Sequence, residues 1–520
     1  MLHALDLLVF AAYLAGAAAL GLWAGRDRSG SAEDYLLGGR SLPWWAVSLS
    51  IVATETSTLT VIGIPAVAYG GALTFLQVAF GYLLGRVVVA YTLLPRYFEG
   101  DLVTAYELLG RRFGARMRGL ASLAFMATRV LGDGVRLFAT AVPLRVIALA
   151  LGVDVSYPAL IAGIAVLTLL YTWAGGLKAV VWVDVAQFAL YIAGALITIG
   201  AAALLTPDLG ARFAEAGAAG KLRLIDLGTG PWAARLAQPY ALPVAVLGGA
   251  VFSMASHGTD QLIVQRLLAC RSLAESRRAL VWSGAGVVVQ FALFLGVGLA
   301  LWAHYGGAAP EALGLSRADE VFPLFIVDRL PAGVRGLLLA GIVAAAMSTL
   351  SSSLSALASS TVSDLLGRLQ RGASPSSGAS ALRASRWATL GWGVVLAGFA
   401  LLIRGTESAV VELGLGIAGF TYGPLLGAFA LALTSRRATQ TAAVGAFAVA
   451  LVAMGLLISG LWYADGVGEW VWRLGPSDEV RAELGLRALA WPLYPAVGAA
   501  LALLAGHAVA AWGSARRAQT

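Results

Sequence analysis

A single cysteine, Cys270, among 520 residues excludes an intrachain disulfide, and the four histidines, His3, His257, His304 and His507, stand too far apart for transition-metal spacing. Charge is equally scarce. Asp, Glu, Lys and Arg make up 12% of the chain against 59% hydrophobic residues, and the mean hydropathy is +0.81. So little charge excludes an ordinary soluble domain. The sequence also lacks a nucleophile motif, a phosphate-binding loop and basic residues ahead of the first apolar segment. These absences speak against a membrane enzyme and against a cleaved secretory signal.

What is present is apolar sequence of spanning length. Stretches near or above the ~18 residues needed to cross a bilayer recur from end to end. Thirteen spans are expected, over 4–24, 44–71, 73–95, 117–150, 157–174, 178–205, 240–264, 279–303, 334–362, 386–403, 409–434, 438–463 and 489–512. The fold class that follows is an all-α polytopic membrane protein, a single integral domain over 1–520 in contact with membrane lipids. The net charge is +8. Counted from an external N-terminus, the loops expected inside carry Arg26, Arg28 and Arg40, then Arg96, Arg111, Arg112, Arg116 and Arg118, then Lys178, Arg266, Arg271, Arg277 and Arg278, then Arg368, Arg371, Arg383, Arg386, Arg436 and Arg437, and finally Arg516 and Arg517. This positive-inside pattern places the C-terminus in the cytoplasm, at a plasma or inner membrane, and accounts for the basic balance without nucleic acid. The Ser/Gly-rich stretch 372–381 reads as a flexible inner loop, and nothing in the composition requires an oligomer.

Two apolar segments depart from plain lipid-facing helix. Met347-Ser348-Thr349-Leu350-Ser351-Ser352-Ser353 sets a run of hydroxyls at membrane depth, with Ser348, Ser351 and Ser352 on one helical face. Hydroxyls there serve either close helix packing or a hard cation that needs oxygen ligands. The second span combines Ala53-Thr54-Glu55-Thr56-Ser57-Thr58-Leu59-Thr60 with Gly63 and Pro65, which predicts an interrupted helix whose freed carbonyls can face a cation. The seventh span, ending near Thr259-Asp260-Gln261, shows a similar interruption five spans later. Such spacing predicts two inverted halves, about 44–205 and 240–434.

Glu55, Arg86, Arg129, Asp133, Arg136, Arg145 and Asp184 are expected within the membrane, where a lipid-facing charge costs ~2.5–3.5 kcal/mol. Asp133 and Arg136 are spaced to neutralise each other. Arg86 and Arg145 are expected to snorkel from span ends, and Arg129, with no partner evident in sequence, to meet an anionic group of the substrate.

Several motifs in order resemble the sodium/solute symporter family, whose members carry proline, sugars, sialic acid, pantothenate or monocarboxylates. They are Asp34-Tyr35-Leu36-Leu37-Gly38-Gly39-Arg40 with Ser41-Leu42-Pro43-Trp44-Trp45, the segment Tyr171 to Gln187, Thr259 to Arg266, and Thr421 to Gly427. The resemblance implies a leucine-transporter-like core of five plus five inverted helices, with one helix before it and two after. It further implies a principal Na+ site at Ala53, Thr56, Ala345, Ser348 and Thr349, and a second at Asp184, Ser348, Ser351 and Ser352. Substrate positions implied in the same way are Glu55, Ser57, Thr60, Gln77, Arg129 and Asp260. Glu55 departs from the family pattern, and Leu262-Ile263 offer no aromatic platform for a sugar ring. The expectation is Na+-coupled uptake of a small organic solute by alternating access, an organic acid favoured over a sugar or amino acid, with H+ coupling the alternative.

Overall fold

The computed structural model describes residues 3–26, 31–100, 102–150, 152–366, 379–402 and 410–519. The loop expected over 372–381 falls largely outside these residues, as does the boundary between the spans expected at 386–403 and 409–434. The chain is helical almost throughout. We number the principal helices α1 (Ala4–Ala24), α2 (Trp44–Glu55), α3 (Thr58–Gly70), α4 (Leu76–Tyr91), α5 (Ala115–Ala150), α6 (Tyr157–Leu205), α7 (Gly249–Gly258), α8 (Gln261–Leu268), α9 (Leu273–His304), α10 (Val334–Ser360), α11 (Ala379–Leu402), α12 (Val410–Thr434), α13 (Gln440–Gly460) and α14 (Tyr494–Gln519).

Among the described residues, eight helices are long and apolar enough to cross a membrane, or nine if the bent pair α2–α3 counts as one span. With no water at that depth, helices alone satisfy their own backbone groups. The 49-residue α6 is two helices joined at Gly176, which adopts φ 60° and ψ −154°. Only glycine takes that conformation without strain, and a Cβ there would collide with the Tyr35 carbonyl. A small antiparallel sheet closes the loop between α13 and α14, with Leu461–Ala464 paired to Glu469–Trp472 on one side and Leu486–Ala488 on the other.

Helix α10 is the hub. Of the most apolar stretch of Val334–Leu366, 94% is buried, whereas the corresponding share for α1 is 11%. α10 packs against α6, α1, α5, α11 and α2. Its sequence permits this because Gly, Ala and Ser on all sides let neighbouring backbones approach.

The four sequence motifs meet in space. Tyr35 OH reaches the Thr172 carbonyl at 3.3 Å, Gln265 Nε2 donates to the Leu36 carbonyl at 2.6 Å, and Tyr422 OH donates to Asp260 Oδ2 at 2.6 Å. Tyr171 OH, in turn, donates to the carbonyl of Met347 in the hydroxyl run at 3.3 Å.

One buried carboxylate was not anticipated. Asp6 of α1 has no exposed surface and accepts from the N–H groups of Gly333 and Gly336 at 2.7 and 3.0 Å, with Arg335 Nη2 at 3.4 Å. It caps the N-terminus of α10, satisfying donors that the helix itself leaves unpaired. Asp6→Ala is expected to cost about 2 kcal/mol of stability, on the scale of a lost cap, and thermal unfolding in detergent measures it.

Candidate functional site

The break in the second span lies at Thr56-Ser57, where the axes of α2 and α3 diverge by 68°. Both residues are extended, Thr56 at φ −83°, ψ 92° and Ser57 at φ −90°, ψ 171°. The helix parts at the hydroxyl cluster because such side chains bond nearby backbone groups in place of the helical ladder. Thr56 Oγ1 donates to the Val52 carbonyl at 2.7 Å and accepts from Gln290 Nε2 at 2.6 Å. Gly63 and Pro65, which also favoured an interruption, instead continue α3, with Gly298 of α9 packed against the Pro65 carbonyl. The seventh span is likewise divided. α7 ends at Gly258 and α8 begins at Gln261, with Asp260 Oδ1 accepting from Leu262 N at 2.9 Å as its cap.

Contacts on both sides of Thr56-Ser57 bring the break against α10. Thr54 Oγ1 and Ser352 Oγ lie 3.0 Å apart before it, and Thr58 Oγ1 donates to the Ile342 carbonyl at 3.2 Å after it. Of the implied principal-site residues, Ala53 and Thr56 therefore sit on one wall and Ala345, Ser348 and Thr349 on the other. All five are buried. The Ala53 carbonyl accepts from Thr56 N at 3.1 Å, and no hydrogen bond reaches the Thr56 carbonyl among the described residues. Thr349 Oγ1 donates to the Ala345 carbonyl at 3.2 Å, which leaves its lone pairs available. The wall supplies neutral oxygens only, a donor set that suits a hard monovalent cation. Beside it, Ser57, Asp133, Arg136, Leu137, Thr140, Ala346, Thr349 and Leu350 line a void of about 10 Å³, the scale of one water-sized sphere.

The implied second site is also assembled, but with a partner the sequence did not disclose. Asp184 Oδ1 accepts from Ser348 Oγ at 2.6 Å, and Oδ2 accepts from Ser50 Oγ at 2.6 Å and from Arg266 Nη2 at 3.1 Å. Arg266 also donates to Ser50 Oγ at 2.9 Å, to the Leu262 carbonyl at 2.8 Å and to Ser352 Oγ. Ser351 donates to the Ser348 carbonyl at 3.1 Å. Arg266 belongs to the set expected in an inner loop, and the structure corrects that: its side chain and that of Asp184 have no exposed surface. Placed in α8, it returns into the core because a buried carboxylate needs a cation.

The substrate positions divide. Ser57 lines the small void, and Thr60 Oγ1 donates to the Glu55 carbonyl at 3.4 Å. Gln77 is turned away, bonding the Tyr240 carbonyl at 2.8 Å and Asp226 N at 3.3 Å. Arg129 is no free cation: its Nη2 lies 2.6 Å from Tyr422 OH and 3.2 Å from Asp260 Oδ2, with Asp133 at 3.7 Å from Nη1. Asp260 is thereby engaged too. The pairing of Asp133 with Arg136 is present at 3.2 Å, and Ser353 donates to the other Asp133 oxygen at 2.5 Å. Arg136 keeps 27% of its side chain exposed while Arg129 keeps 5%. Arg86, expected to snorkel, is wholly buried and holds Glu55 at 2.5 Å, since the carboxylate in the broken helix draws it inward. Arg145 keeps 34% exposure and reaches the exposed Asp154 at 3.7 Å.

Asp6, Arg266, His257 and Gln290 are not among the residues the sequence singles out for these contacts. A signal existed for Arg266 alone, as the last residue of a motif already carrying the buried Gln261 and Gln265.

A model of the sodium:solute symporter family matches residues 35–452. The human sodium/iodide cotransporter is 31% identical over 484 residues, covering 91% of this chain and 72% of its own. A sodium/sialic acid symporter of Aliivibrio fischeri is 30% identical over 443 residues, 85% of either chain. Among solved structures, a Na+-coupled sialic acid symporter in a substrate-bound outward-open state superposes with a TM-score of 0.81 at 26% identity, covering 98% of both chains.

Proposed function

The chain belongs to the sodium:solute symporter family, and we propose that it is a Na+-coupled importer of a small carboxylate-bearing solute working by alternating access. The observation that carries the reading is the closure of the broken helix on α10, hydrogen-bonded on both sides of Thr56-Ser57. Na+ is transported here, held by Ala53, Thr56, Ala345, Ser348 and Thr349. Bridging two helix groups, it favours the conformer in which they are together, and its loss frees them to part. Each Na+ entering down the potential contributes ~2.3 kcal/mol per 100 mV, and ~1.4 kcal/mol sustains a tenfold solute gradient.

A Na+ at Asp184, Ser348, Ser351 and Ser352 requires Arg266 to withdraw, because the guanidinium already neutralises the carboxylate. The breaks at Thr56-Ser57 and Thr259-Asp260 support paired inverted halves over about 44–205 and 240–434 within a single thirteen-span domain. The basic inner loops support an external N-terminus and a cytoplasmic C-terminus.

The carboxylate reading passes from Arg129 to Arg136. Arg136, paired with Asp133 at 3.2 Å but keeping 27% of its side chain exposed, lines the void with Ser57 and Thr349, and a guanidinium suits a carboxylate by geometry as well as charge. The void is too small for a solute, so rocking of the helices has to widen it before binding. The test is uptake into proteoliposomes. Carboxylate-bearing solutes should accumulate with an inward Na+ gradient and not with K+, and Arg136→Gln should lower their uptake at least about tenfold while leaving the stabilisation by Na+ alone intact. Equal accumulation under a pH gradient in Na+-free buffer defeats the reading.

A further inference from the structure

The Glu55 carboxylate is fixed as a hydrogen-bond acceptor. One oxygen takes Arg86 Nη2 at 2.5 Å and the other lies 2.7 Å from His257 Nε2. Those partners are anchored in turn, Arg86 by Ser283 Oγ at 2.8 Å and His257 by Ser256 Oγ at 2.9 Å from Nδ1. The arrangement thus ties the break of the second span to α4, α7 and α9. Exposure is unequal within it. Arg86 has none and His257 keeps 2%, whereas the Glu55 side chain keeps 21%.

Whatever approaches the break from this side therefore meets the carboxylate and not the cationic group behind it. A carboxylate has about four acceptor positions, of which the Arg86 hydrogen bond occupies one, while His257 Nε2 lies against the other oxygen. Apolar surface stands nearby: Tyr82, one turn before Arg86 on α4, stacks with Phe252 at 5.8 Å, and Phe291 lies 6.4 Å from Tyr82. In such a place a group that donates a hydrogen bond is favoured. One that brings only negative charge, or nothing to donate, leaves a partly desolvated carboxylate facing it.

We infer that the transported solute carries hydroxyl or amino donors that bind Glu55, and that this position rejects bare anions such as halides and simple alkanoates. This deepens the reading of a carboxylate-bearing solute and rests on it, with Arg136 meeting the anionic end and Glu55 the donor-bearing end. It also separates this chain from its relative named for iodide, since a halide offers nothing to a carboxylate.

The experiment measures melting temperature of the purified protein in NaCl and in KCl with propionate, lactate, alanine, sialic acid or iodide. Lactate and alanine separate a hydroxyl from an amino donor. The expected result is a Na+-dependent shift from at least one donor-bearing member, with propionate and iodide at least tenfold weaker. Glu55→Gln should weaken the preferred solute at least tenfold. Because that change strands Arg86, the double variant Glu55→Gln with Arg86→Gln, which removes both charges, supplies the same readout if the single variant does not fold. The inference is overturned if iodide or propionate binds as well as the donor-bearing solutes, if no donor-bearing solute gives a Na+-dependent shift, or if the variant binds within twofold of wild type. The shift produced by Na+ alone is read in the same experiment and judges Na+ coupling separately.

Discussion

Arg266→Met should be among the most damaging single substitutions in the protein, lowering stability by about 3–5 kcal/mol because it leaves the Asp184 carboxyl in the core without its cationic partner. Asp184→Asn should cost a similar amount by stranding Arg266. Joining the two should recover much of the loss, since a buried pair replaced as a whole leaves no uncompensated charge. Ser50, Ser348 and Ser352 surround both partners, so the recovery is incomplete: their hydroxyls lose charged partners as well. Thermal unfolding of the two single variants and the double variant forms the cycle that measures the coupling. Strict additivity would mean that Asp184 and Arg266 do not depend on each other, contrary to their 3.1 Å contact.

Thr349→Ala should raise the Na+ concentration for half-maximal stabilisation roughly tenfold or more, taking an interaction with a charged group as about 1.5–3 kcal/mol. Thr349 is the cleaner of the two hydroxyls to remove. Its own hydrogen goes to the Ala345 carbonyl one turn back, whereas Ser348 is also bonded to Asp184. Adding Ser348→Ala should raise the requirement further and also lower stability without Na+, because one oxygen of Asp184 then loses its donor. Thr349→Ser, which keeps the oxygen, should restore most of the affinity. Unchanged Na+ activation in the double variant would remove the principal site from this wall.

The two polar segments that face each other here are legible in the sequence. A Glu among hydroxyls in one apolar segment and a run of serines in another are costly unless something polar lies between them. The structure brings these segments together, with the break at the hydroxyls. Illegible were the partners supplied from a distance. Arg266 is 82 residues from Asp184 in sequence, and its place after Gln265 reads equally well as the start of a basic loop. Arg129 has no partner within its own segment of sequence beyond Asp133 because Asp260 and Tyr422 come from other helices. The Arg86 pairing is hidden for the same reason: position within a span gives depth, but only packing brings Glu55 against it. Local pattern thus locates polar residues in a membrane chain, while the pairing that neutralises them is a property of the tertiary fold.

Asp6 ties this interior to the surrounding bilayer. It sits on the least enclosed of the long helices and grips the first turn of the most enclosed one, whose hydroxyls lie several turns further on. Sliding or tilting of that outer helix, as thinner or thicker lipid would impose, is therefore delivered as a pull on the end of the rod that carries Thr349. Lipid of different chain length should shift the Na+ concentration for half-maximal stabilisation, and Asp6→Ala should blunt that shift.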